Sequence, residues 1–178
     1  MQTIGLLKNA VWIKTTSLVL IIAVLIPFLI HLAPPYLGVP VGAYLLPLFY
    51  IPFIALLWYG WRVALPVALL APLLNFLLTG NPDWGWISIL TLELTLFVCI
   101  SYLLMTQKEV KWMAAPLAYL GSVYLSSMLL FFYPIVGGNP VAFFLDTVMN
   151  GIPGICILLL LNVLLINIHP KKKFFQLN

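Results

Sequence analysis

Charge is scarce in this sequence. Only 7% of its 178 residues are Asp, Glu, Lys or Arg, while 64% are hydrophobic. A soluble globular domain carries about 25% charged residues, so this composition excludes a soluble protein and points to an integral membrane protein. Cysteine is nearly absent, with Cys99 and Cys156 alone, which excludes a disulfide framework. Both fall inside apolar runs at different depths, about 20 Å and 10 Å below one face at 1.5 Å per helical residue, so they are read as buried structural thiols rather than partners. Also missing are a His-Glu-x-x-His pair, a Gly-x-Ser-x-Gly turn, a phosphate-binding loop, paired carboxylates and any cluster with metal-ligand spacing. No enzyme activity, metal or cofactor bound by this chain is therefore expected. No internal repeat stands out.

What remains is a succession of apolar runs. Six spans fit, at about 15–33, 41–59, 63–78, 87–105, 114–136 and 151–168, each near the ~20 residues a bilayer crossing requires. They use most of the chain and leave no room for a soluble ATP-binding domain, so 1–178 reads as one six-helix domain. It has a short amphipathic lead over 1–14 and a basic tail over 169–178. The first span is too long for a cleaved leader and lacks a small-residue cleavage site.

All eight basic residues then fall on one side. Lys8 and Lys14 precede the first span, Arg62 lies in the second connection, Lys108 and Lys111 in the fourth, and Lys171, Lys172 and Lys173 in the tail. The first, third and fifth connections hold only Asp83 and Asp146. Lys and Arg in short loops mark the cytoplasmic side, so both termini are expected in the cytoplasm. The chain is expected in the plasma membrane of a prokaryote, with its net charge of +4 facing anionic lipid rather than nucleic acid.

Prolines lie within the spans. Pro47 and Pro52 share one span and predict a broken or strongly bent helix, because proline frees a carbonyl and bends the axis. Bent helices can enclose a cavity, and proline is also simply commoner in membrane helices. Glu93 is the one acidic residue inside a span, roughly 10 Å below Trp86. An ionisable group at that depth faces the bundle interior or a wet cavity. It reads as a ligand contact or proton site, or else as a protonated carboxyl bonded to a neighbouring helix. Asn75, costly in lipid unless paired, faces protein or a cavity and is a candidate ligand contact. Tyr50, His31, Asp146 and Asn150 lie at similar depth or at span ends, each either a ligand contact or a structural hydrogen-bonder. Trp84 and Trp86 either stack on a ligand or anchor the interface.

From Pro27 onward the order of motifs resembles the substrate-binding S component of energy-coupling factor (ECF) vitamin transporters. The resemblance rests on 27–34 (Pro-Phe-Leu-Ile-His-Leu-Ala-Pro), Leu45-Leu46-Pro47, Tyr50-Ile51-Pro52 and Tyr59-Gly60-Trp61. It continues through 72–82 (Pro-Leu-Leu-Asn-Phe-Leu-Leu-Thr-Gly-Asn-Pro), Glu93-Leu94 and 150–155 (Asn-Gly-Ile-Pro-Gly-Ile). It implies a six-helix protein that binds a vitamin or related micronutrient from outside, in a pocket built by the outer span ends. It also implies docking on a transmembrane coupling subunit and two ATPase subunits that use ATP. Two positions differ from the family pattern. Tyr50 stands where that branch usually has His, and the first span offers Thr15, Thr16, Ser17 and Ala23 where the family often has an Ala-x-x-x-Ala docking patch.

Two other readings use the same residues. A non-transport scaffold of the MreD-like kind would tolerate Glu93→Gln and bind no small ligand. A membrane enzyme acting on lipid would use Glu93 and His31 as an acid–base pair.

Overall fold

A computed structural model describes residues 2–80 and 83–168, with the side chains of 2–10 left aside. Among these residues the chain is all-helical. The helices are α1 (Gln2–His31), α2 (Val41–Leu45), α3 (Pro47–Tyr59), α4 (Trp61–Thr79), α5 (Trp84–Thr106), α6 (Ala114–Leu130), α7 (Pro140–Asn150) and α8 (Ile152–Ile168), with a 3-10 turn at Lys111–Met113. Asn81, Pro82, His169 and the tail lysines expected to anchor the chain lie outside the described residues. Five segments are long and apolar enough to cross a membrane, and six if α7 and α8, bent by 59° at their junction, are taken as one crossing. This is the architecture of a multi-pass membrane protein.

Two element boundaries differ from expectation. The lead over 1–14 is no separate element, since α1 runs unbroken from Gln2 to His31. The fifth run ends at Leu130 rather than 136, because Pro134 cannot continue a helix and Gly137 and Gly138 follow. The long connection over 137–150, read as holding a short amphipathic helix with Phe143, Phe144 and Asp146, does hold a helix, α7, capped at its start by Asn139, whose side chain accepts from the Val141 N–H at 2.8 Å.

The bundle is ordered by helical hairpins. Gly60 alone separates α3 from α4, at φ +82°, a conformation that favours glycine. Asp83 caps α5 by accepting from the Trp86 N–H at 3.1 Å. Helix α5 packs between α4 and α6, α1 packs on α3 and α4, and α8 closes against α6, α2 and α3. The centre is aromatic. Phe49 from α3 stands edge-on to Phe97 from α5 and Tyr119 from α6, with ring centroids 5.1 and 5.0 Å away.

Two tethers define one end of this bundle. Trp12 Nε1 donates to the Arg62 carbonyl at 3.2 Å, joining the starts of α1 and α4. Asn162, fully buried in α8, accepts from the Ala115 N–H at 3.2 Å and donates to the carbonyls of Lys111 and Trp112 at 3.0 and 2.7 Å. One amide thus bridges the first turn of α6 and the 3-10 turn before it, adding to the bond that the Lys111 carbonyl already accepts from the Ala114 N–H. Lys14, Arg62, Lys108 and Lys111 all sit at this end, as the hairpin order requires. The two cysteines correct an expectation: both are free, and both are exposed on the outside of the bundle rather than buried. A thiol behaves as a small hydrophobe, and an apolar helix gives no sequence signal separating its inner face from its outer one.

Candidate functional site

Two helices are broken in the half of the bundle away from the basic end, and their breaks touch. The first separates α2 from α3. Pro47 has no N–H to give, and the residue before a proline is pushed out of the right-handed helical region. Leu46 accordingly adopts the left-handed conformation, φ +53° and ψ +43°, at a cost of about 1–2 kcal/mol for a residue with a Cβ. The Tyr50 hydroxyl, one turn further on, donates to the Leu45 carbonyl and ties the break together. The second break separates α7 from α8 at Gly151. A Cβ on Gly154 would stand 2.6 Å from Leu46 Cγ, 2.8 Å from the Leu45 carbonyl carbon and 2.9 Å from its oxygen. A Cβ on Gly151 would stand 2.9 Å from the Tyr119 hydroxyl and 3.4 Å from Leu46 Cδ1. The glycines are what allow the second break to close on the first.

Helix α6 carries the polar side of the site. Tyr119, Ser122 and Ser126 follow at intervals of three and four, which places them on one face. The Tyr119 hydroxyl donates to the Thr147 carbonyl in α7 at 3.4 Å. Ser126 Oγ donates to Glu93 Oε1 in α5 at 2.7 Å. Glu93 is only 3% exposed. It lies nine residues into α5, about 13 Å along the axis, whereas the described basic residues lie at the far end of that helix, so among the described residues no cation stands near it to balance a charge.

Of the residues expected to form a site, Glu93 and Tyr50 therefore sit within the bundle on the elements that carry the breaks or flank them. Asn150 is half-buried as the last residue before the Gly151 break. Asn75 is 2% exposed in α4, and its Oδ1 has no hydrogen-bond partner. Counted from the α4–α5 connection, four residues back to Asn75 and nine forward to Glu93, it lies about 7 Å further out along the axis than Glu93. His31 packs at the edge, with its ring 3.2 Å from where a Cβ on Gly42 would stand. Its neighbour there is Gly42 of α2, whereas the Glu93 carboxyl meets Ser126 of α6. Trp84 is 63% exposed and lies against Phe76 at 4.7 Å between centroids, while Trp86 lies 5.7 Å from Phe143. Both rim this end of the bundle. Asp146 is exposed on α7, away from the breaks.

Sequence reasoning missed Ser126, Tyr119, Leu46 and Asn162. The Tyr-x-x-Ser-x-x-x-Ser spacing of α6 was a legible signal: three polar residues on one face of an apolar span must meet a partner. Nothing in the sequence marked Leu46 as left-handed beyond the proline after it.

Comparisons with protein-family models, with curated proteins and with solved structures find no match to this chain.

Proposed function

We propose that the chain is the membrane-embedded substrate-binding subunit, the S component, of an ECF-type importer. In this reading it has six spans with both termini in the cytoplasm of a prokaryotic cell. It captures a vitamin or related micronutrient from outside. A transmembrane coupling subunit and two ATPases, which use ATP, then deliver the ligand inward.

The observation that carries this reading is the meeting of two broken spans beside a buried carboxyl group. Helices interrupted within the membrane leave backbone groups that neighbours must satisfy, and such interruptions are the usual way transporters build a binding site at membrane depth. A strained leucine, two close-packed glycines and a buried Glu93 together cost stability, and a binding site is where such costs are retained. A scaffold of the MreD-like kind has no use for them.

The test is tryptophan fluorescence of the purified chain, titrated with a panel of B vitamins and cofactor precursors. Trp84 and Trp86 rim the site and report its occupancy. A saturable change with one compound supports the importer. A flat response from folded protein across the panel moves the assignment to the scaffold.

A further inference from the structure

The hydroxyl donors of the site are spent on the protein itself. Tyr50 donates to Leu45 O, Tyr119 to Thr147 O, Thr79 to Asn75 O, and Ser127 to Val123 O at 2.6 Å. Ser126 is shared between Glu93 and Val123 O. What these bonds leave open is acceptor capacity. Asn75 Oδ1 is buried without a partner. The Glu93 carboxylate offers about four lone-pair sites when ionised, of which Ser126 fills one. Among the described residues no lysine or arginine lies in this half of the bundle to compete for either group.

We infer that the ligand is a small organic cation, whose positively charged nitrogen pairs with Glu93 and whose further N–H or O–H donors reach outward to Asn75. This rests on the reading of the chain as a ligand-binding subunit and narrows its substrate to one charge class. The separation of Asn75 from Glu93, about 7 Å along the axis, is within the reach of a vitamin-sized molecule. An anionic ligand would face the carboxylate with no cation to hold it. A neutral ligand without donors would leave two buried acceptors unpaired, which is strongly disfavoured.

The experiment is calorimetric titration of the full chain in detergent with the vitamin panel sorted by charge. Thiamine and pyridoxamine are the cations, riboflavin and pyridoxine the neutral compounds, and pantothenate, biotin and nicotinate the anions. The expected result is saturable binding of a cation that falls at least tenfold in Glu93→Gln and less in Glu93→Asp. Gln keeps the acceptor for Ser126, so the variant stays folded while losing the charge. Tightest binding of an anion or neutral compound, unaffected in Glu93→Gln, overturns the cation assignment and leaves the importer standing. No binding by any compound, from protein shown to be folded, overturns both.

Discussion

The contact between the two breaks can be tested by a single methyl group. In Gly154→Ala the new Cβ would meet Leu46 Cγ at 2.6 Å and the Leu45 carbonyl carbon and oxygen at 2.8 and 2.9 Å. Favourable carbon contacts lie at about 3.5–4.0 Å, so each is about 1 Å too close. Two of the three atoms are backbone, held by the hydrogen bond from Tyr50, and cannot rotate away. Overpacking of this kind costs up to about 3 kcal/mol. Alanine in a helix returns about 1 kcal/mol relative to glycine, leaving a net loss near 2 kcal/mol. Gly121→Ala is the control. Its Cβ meets only the end of the Ile100 side chain, at 3.3 Å, so the propensity gain dominates and the variant is neutral or up to about 1 kcal/mol more stable. Thermal unfolding of the two variants and the parent in one detergent measures the difference. Gly154→Ala should melt well below the parent and bind ligand less well, with Gly121→Ala at or above it. Gly154→Ala as stable as the parent would refute the claim that the breaks are locked together.

Two further outcomes follow from the opposite end. Asn162→Ala takes the side-chain partner from the Ala115 N–H and the Trp112 carbonyl, while the Lys111 carbonyl keeps the Ala114 N–H, at about 1–3 kcal/mol for each buried group left unpaired. It should lose of order 3 kcal/mol in the same melting assay, and Asn162→Leu should fare no better, because the orphaned groups belong to the backbone. The proposed orientation predicts that Gly137→Cys is labelled by an impermeant maleimide in whole cells. Lys108→Cys should be labelled only after the membrane is opened, with both native cysteines first replaced by alanine because they are exposed. The reverse pattern would invert the topology.

The fold was largely legible as a succession of helices, because span length and apolar composition are strong signals. The break in the second run was legible too, from Pro47. What the sequence withheld was which face of each helix looks inward. Lipid is as apolar as a protein core, so Leu160, exposed, and Leu158, fully buried two residues earlier, look alike in the chain. The same ambiguity hid the outward-facing cysteines. Polar residues escape it, because they must face protein. Glu93 and Asn75 were found to be buried for that reason, and Asn162 and Ser126 obey the same rule. The pairing of Leu46 with Gly154 joins residues 108 positions apart and has no local signature.

The central claim is that a buried carboxyl beside two broken helices binds a ligand from outside, and it rests most directly on Glu93. The measurement is the fluorescence titration run side by side on the parent and Glu93→Gln, both shown to be folded, with the compound that saturates. The account predicts saturation in the parent and at least a tenfold weaker midpoint in the variant, about 1.4 kcal/mol or more. Superimposable curves would show that Glu93 is a structural residue and would contradict it.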